Sequence, residues 1–246
     1  MLGPRRIMSG ARAHLKRWLG LSGPDMRSLI AGRYLAGDGI EIGALHQPLR
    51  VPRAARVRYV DRLDTAALRA RYPELANDPL VNVDVVDNGE TLGTFAAASL
   101  DFVIANHFIE HTQDPLGAIA NFLRVLKPGG RVYMAVPDKR WTFDAARSVT
   151  PLEHTYRDHA EGPAWSREGH YREWCEKVNK TSGAMLEQEV RHLMNIDYSI
   201  HFHVWSQDDF LEMLLDARRR LKLPFEIAVV LEHRERCETI CILVRK

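Results

Sequence analysis

Between residues 28 and 137 the chain repeats one pattern: a short apolar run, a turn, then apolar residues at helical spacing. Ile40 and Ile42 alternate with Glu41 in a strand over Gly39 to Ile42, and Gly43 breaks the run. Val57 to Asp61 reads as a second strand. A helix then starts at Asp64, whose carboxylate suits an N-cap, and runs to Tyr72, where Pro73 stops it. Further strands are expected over Val81 to Val86, Phe102 to Ala105 and Arg131 to Pro137. Between the last two, Asp114-Pro115 opens a helix with Leu116, Ile119, Ala120, Leu123 and Leu126 at helical spacing, and Lys127 to Gly130 ends it. Ser206 and Asp209 form a capping box for a later amphipathic helix. Two strands, 225–233 and 238–246, close the chain, and their short connection makes them an antiparallel pair. Strands alternating with helices in this rhythm predict an α/β fold with a largely parallel sheet covered on both faces.

Two stretches depart from the pattern. Residues 138–205 lose strand character and collect His154, His159, His170, His192, His201 and His203 together with Trp141, Trp165, Trp174 and Trp205. They are expected to form a cap, inserted between the fifth strand and the last helix. Residues 1–24 contain no acid but carry Arg5, Arg6, Arg12, Lys16 and Arg17, opposite an apolar arc of Ile7, Ala11, Leu15, Trp18 and Leu19 on a helical wheel. Such a basic extension, over 1–27, suits an anionic membrane surface, an organelle transit peptide or a helix docked on the domain itself. The main domain is expected over 28–246.

Composition narrows the class. A chain of 246 residues with 46% hydrophobic and 27% charged content accommodates one large globular domain with a cap. A net charge of +2, with no basic stripe beyond the N-terminus, gives no case for nucleic acid. No apolar run approaches the roughly 18 residues of a membrane span. The expected location is therefore cytoplasmic, with peripheral membrane contact only through residues 1–24. Cys175, Cys237 and Cys241 form no C-x-x-C pair and read as reduced structural thiols.

The chemistry begins at the first strand. Glu41 precedes the Gly43 turn, where a backbone without a side chain can approach a ligand, and Asp61 follows at the end of the second strand. A carboxylate closing the second strand of a βαβ unit accepts from both hydroxyls of a ribose, so the pair points to a nucleoside cofactor. A nicotinamide site would want G-x-G-x-x-G here, and Gly43-Ala44-Leu45-His46-Gln47-Pro48 lacks it. His107-Phe108-Ile109-Glu110-His111 matches the H-x-x-E-H zinc peptidase signature, but that signature belongs inside a helix and here it follows a strand.

With these pieces in order, the chain resembles the class I S-adenosylmethionine-dependent methyltransferases over roughly residues 28–246, and most of all their bacterial small-molecule and sugar-modifying members. Glu41-Ile42-Gly43 with Asp61 is similar to their first two cofactor motifs. Asp87-Asn88-Gly89-Glu90 sits where the family places an acid beside adenine. Leu123 to Asp138, reading LRVLKPGGRVYMAVPD, is the most specific string. The resemblance implies a Rossmann-like three-layer sandwich with a seven-stranded, mostly parallel sheet whose last strand is antiparallel. It implies S-adenosylmethionine as cofactor, with Glu41, Gly43, Asp61, Asp87 and Asn106 as contacts and His46, Arg62, Asn88 and His107 beside them. It also implies methyl transfer to a hydroxyl or amine of a small molecule, a saccharide or glycolipid precursor. One base is expected among His111, His154, His201 and His203, and no resident metal is expected. One departure stands out: Leu45 occupies the place of the family's second glycine, which keeps a non-catalytic cofactor binder as the alternative.

Overall fold

The computed structural model describes residues 25–246. The expectations for a basic amphipathic segment over 1–24 lie outside the described residues. Helix α1 (Met26–Tyr34) opens the described chain, two residues ahead of position 28. Strands β1 (Gly37–Ile42), β2 (Ala55–Asp61), β3 (Val85–Val86), β4 (Leu100–Asn106) and β5 (Leu126–Pro137) follow, with α2 (Thr65–Arg71) after β2 and α3 (Pro115–Val125) before β5. Helices α4 (Leu152–Glu161), α5 (Arg167–Trp174) and α6 (Ala184–Asn195) come next. The chain closes with α7 (Gln207–Arg220), β6 (Phe225–His233) and β7 (Glu238–Arg245). The caps read from sequence form as expected. Asp64 accepts from Ala67 N–H at 2.8 Å, Asp114 accepts from Gly117 N–H at 2.8 Å, and Ser206 and Asp209 make a reciprocal box.

The strands form one seven-stranded sheet in the order β3-β2-β1-β4-β5-β7-β6. The pairs from β3 to β5 are parallel, while β7 runs antiparallel to both β5 and β6. Alternation along β4 sends Phe102 and Ile104 to one face and Val103 and Ala105 to the other. On the first face they meet Ile30, Ala31 and Leu35 at α1, with Leu49 from the β1–β2 connection. On the second they meet Leu116, Ile119 and Phe122 of α3 and Phe210, Met213 and Leu214 of α7. This is the Rossmann-like sandwich, with both faces of the sheet covered.

Three elements differ from expectation. Strand β5 begins at Leu126 rather than at Arg131, so Lys127 to Gly130 lie inside the strand instead of ending the helix as expected. The third strand shrinks from Val81–Val86 to Val85–Val86, because β2 offers it pairing partners only at Val60 and Asp61. The connection from β1 to β2 holds no helix; Pro48 and Pro52 interrupt it, and Leu49 and Val51 pack its chain onto the sheet. Residues 138–205 carry their own small core of Tyr171, Cys175, Leu186, Val190, Leu193, Ile200 and Phe202. They meet the main sheet at the carboxyl ends of β2 and β4, through Arg62–Asp197 at 3.0 Å and Phe202 N–H to the Glu110 carbonyl at 2.8 Å. Among the described residues no helix is long and apolar enough to cross a membrane. All three cysteines are free, and Cys175 and Cys241 are buried.

Candidate functional site

Ligands of doubly wound sheets bind outside the carboxyl ends of the strands. Clefts at the opposite end, lined by Asp38, Gly39, Arg56 and Arg58 or by Gly37, Asp101 and Lys127, are open and include none of Glu41, Gly43, Asp61, Asp87 and Asn106. At the carboxyl end of β1, Gly43 takes φ +65° and its N–H donates to the Val60 carbonyl at 2.9 Å. Leu45, at the family's second glycine, also takes a positive φ of 48°. The backbone path that favours glycine is therefore kept, at a cost of roughly 1–2 kcal/mol for a leucine.

Glu41 does not face outward. Its side chain is buried and accepts from Leu49 N–H at 2.9 and 3.1 Å, which fastens the helix-free loop back onto β1. Burial pushes its carboxyl up to about 7, against the opposing pull of the Leu49 N–H and Arg27. His46 lies in the same loop, with Nε2 2.8 Å from Gln47 Nε2 and a buried Nδ1 that has no protein partner. Asp61 ends β2 half-buried. One oxygen accepts from Arg62 N–H at 2.7 Å, and burial raises its pKa above the usual carboxylate range despite that bond. The Arg62 side chain is held by Asp197 rather than by the strand ends. Asp87 is a turn former here: it accepts from Asn88 N–H at 2.7 Å and from Thr94 N–H and Oγ–H at 2.9 and 2.6 Å. Asn88 in turn accepts from Glu90 N–H at 2.8 Å. Gly89 sits where a Cβ would lie 2.5 Å from Ile42 Cγ2 and 2.6 Å from Phe108 Cζ, so only glycine lets the Phe108 ring tuck under this turn. Asn106, at the end of β4, buries both ends of its amide without a protein partner.

Past β4 the chain turns sharply. His107 has φ 48°, and its Nε2 lies 2.9 Å from Glu238, which also pairs with Arg27 and with His233 at 3.1 Å. A short 3₁₀ turn, Ile109–His111, then points Glu110 and His111 inward. His111 donates its Nδ1–H to the Ile200 carbonyl at 2.8 Å, and burial pushes its pKa down to about 3. His201 Nδ1 is 2.7 Å from Asp144 Oδ2, itself held by Arg147 at 2.9 Å. The other ring nitrogen, Nε2, is 4.0 Å from Glu110, whose two carboxylate oxygens are buried with no hydrogen bond. Ligand-type atoms of Glu110, His111 and His201 lie within 4.8 Å of one another. Phe143, 45% exposed, packs its ring 4.8 Å from that of His201.

The four candidate bases therefore divide. His111 and His201 gather at Glu110, whereas His154 and His203 gather with His170 around Asp158. Burial, with help from His170, pushes His203 down to about 3, which makes it and His111 poor proton acceptors near neutral pH. Within the H-x-x-E-H string His107 turns to Glu238 and His111 to Ile200, so the two rings do not converge. Sequence reading missed Asp144 and Asp158 and named His170 only among the cap's histidines, not as a site residue. Asp158 was legible as the i+4 neighbour of His154 on one helix face; Asp144, inside a single 3₁₀ turn, left no pattern.

Comparison with known proteins adds three findings. Residues 36–134 match the family model described as a methyltransferase domain. A stretch of 87 residues, 34% of this chain, is 33% identical to the highly reducing polyketide synthase Preu5 of Preussia isomera, and spans 3% of that protein. Among solved structures, a candidate zinc-dependent alcohol dehydrogenase from Rhodobacter sphaeroides is similar with a TM-score of 0.50 at 15% identity, over 86% of this chain and 85% of that one. A SAM-dependent methyltransferase from Methanosarcina mazei gives 0.45 at 18% identity, over 87% and 95% of the two chains. At 15% identity the first of these structures speaks to the fold alone.

Proposed function

From the match of residues 36–134 to a methyltransferase domain, we propose that this chain is a class I, S-adenosylmethionine-dependent methyltransferase that methylates a hydroxyl or amine of a small molecule, with His201 as the base. The residues at the strand ends fit the cofactor. Asp61 keeps one oxygen free of the Arg62 hydrogen bond for a ribose diol, Gly43 presents bare backbone, and the Asn106 amide is buried without a partner. Glu41 serves the same site indirectly, by fixing the loop that carries Gly43. When bound, S-adenosylmethionine supplies an electrophilic methyl group on a sulfonium.

The protein's part is to align an acceptor and to take its proton. The observation that carries the reading is the Asp144–His201 hydrogen bond of 2.7 Å beside the buried Glu110. Asp144 accepts the Nδ1–H, which leaves Nε2 as the lone-pair nitrogen, and this is how a base is oriented in acyl-transfer triads as well. His201 Nε2 would take the proton of an acceptor O–H aligned with the donor. Holding the two in line supplies several orders of magnitude in rate. A saccharide or glycolipid acceptor is supported by the exposed rings of Phe143, Trp141 and Trp165, two of which flank histidines of the cap.

The test is an acceptor screen with labelled methyl donor, followed by kinetics on the acceptor found. His201→Ala is expected to lower kcat by about 10²–10⁴-fold with donor affinity kept within a few-fold. Normal turnover by a folded His201→Ala protein would remove the base, and no labelled product from any saccharide would remove the substrate class.

A further inference from the structure

We propose that His154, Asp158, His170 and His203 form a closed, four-coordinate site for a transition-metal dication, with zinc the best fit, that ties the cap together. The four come from three separate pieces of chain. His154 and Asp158 lie one turn apart on α4, His170 lies on α5, and His203 lies in the segment leading to α7. One ligand atom from each lies within 4.8 Å of all the others.

The distances suit a shared ion. His154 Nε2 lies 2.9 Å from His170 Nε2 and 3.2 Å from Asp158 Oδ2, and His203 Nε2 lies 3.6 Å from the same oxygen. Ligands about 2.0–2.1 Å from a tetrahedral zinc stand about 3.3 Å apart, which these values bracket. Despite these neighbours, Asp158 Oδ2 is buried and accepts no aligned hydrogen bond. Three imidazole nitrogens and a carboxylate oxygen face one point; His154 Nε2 and His170 Nε2 stand at hydrogen-bond distance from each other and His203 Nε2 lies 3.4 Å from the Gln113 carbonyl, contacts that a bound cation would replace. The other carboxylate oxygen accepts from Ser166 Oγ–H at 2.7 Å, an outer hydrogen bond that orients the ligand.

The donor set selects the metal. Three imidazoles and one carboxylate suit zinc and its neighbours in the first transition row, whereas magnesium and calcium prefer all-oxygen sites. Asp158, His170 and His203 are buried, and the His154 side chain is 23% exposed, so protein occupies all four positions. A site filled by four protein ligands is structural rather than catalytic. It would cross-link α4, α5 and the segment before α7 that also places His201.

The test uses the full chain, expressed with zinc supplement, dialysed and analysed for metal. Wild type is expected to retain zinc. His170→Ala and Asp158→Asn are expected to contain about one equivalent less per chain, while His170→Cys, which restores a zinc ligand, regains it. After chelation, added cobalt(II) should give wild type the intense visible band of a tetrahedral site, and His170→Ala should lack it. Chelation should also lower the thermal midpoint of wild type by several degrees and leave that of His170→Ala unmoved. Wild type free of metal after dialysis, or equal metal content in all four proteins, would overturn the proposal. Circular dichroism separates a variant that lost its metal from one that never folded, and the His170→Cys protein decides the case if His170→Ala does not fold.

Discussion

At the scale of the residue, Glu41 shows how one acid changes meaning between a string and a structure. In sequence it is the leading motif acid; in the fold it is a buried staple on Leu49 N–H. Desolvation raises its carboxyl to about 7, from an ordinary value of 4.5. A raised carboxyl binds its proton more readily in the folded state, so its stabilising contribution is complete below about pH 4.5 and is lost as pH rises through about 7. Glu41→Gln keeps an oxygen for Leu49 N–H and never ionises. It is expected to melt at or above wild type near pH 8, by on the order of 2 kcal/mol, and to lose that advantage near pH 5. Glu41→Ala leaves the Leu49 N–H buried without a partner and should cost about 1–3 kcal/mol at either pH. Thermal melts of the three proteins at the two pH values check this; a Gln variant well below wild type at both would assign Glu41 a charged role.

At the scale of the element, legibility follows how local the determining forces are. Helices α2, α3 and α7 were readable because caps and apolar spacing lie within a few residues of each other, and Asp64, Asp114 and Ser206 all cap as read. Strand β3 was overcalled because Val81 to Val86 has the composition of a strand but pairing partners at only two positions, which composition cannot report. The candidate site is less local still. Asp61 and Asn106 stand at strand ends as their motifs implied, yet Asp87 is committed to Thr94 and the histidines sort into two groups. That sorting depends on which neighbour each ring meets. Asp144 lies 57 positions from His201 and Glu110 lies 91 before it, separations no spacing rule covers.

At the scale of the whole molecule, Glu238 joins the pieces that hold the site. It begins β7, yet it pairs with Arg27 of α1, His107 after β4 and His233 at the end of β6. Burial alone would raise its carboxyl, but the hydrogen bonds from Arg27 and His107 outweigh that and hold it down to about 2. A depressed carboxyl contributes stability that is present above about pH 4.5 and is lost as pH falls toward 2. Arg27 and Glu238 side chains are 9% and 0% exposed, so Arg27→Ala strands a buried charge and is expected to cost about 3–5 kcal/mol at neutral pH. Denaturant melts should show that deficit shrinking as pH is lowered below about 4.5, where Glu238 in the variant is protonated. A deficit independent of pH would place the loss in packing rather than charge.

Calorimetric titration of S-adenosylmethionine into the full chain reads whether the donor binds at the carboxyl ends of β1, β2 and β4 with Asp61 on its ribose. Asp61→Ala removes a charged acceptor from two hydroxyls and should weaken binding by about 2 kcal/mol, roughly 30-fold, in a protein that remains folded. Saturable heat with wild type and that loss in the variant is the predicted result; no binding to wild type, or equal affinity in folded Asp61→Ala, would contradict the account.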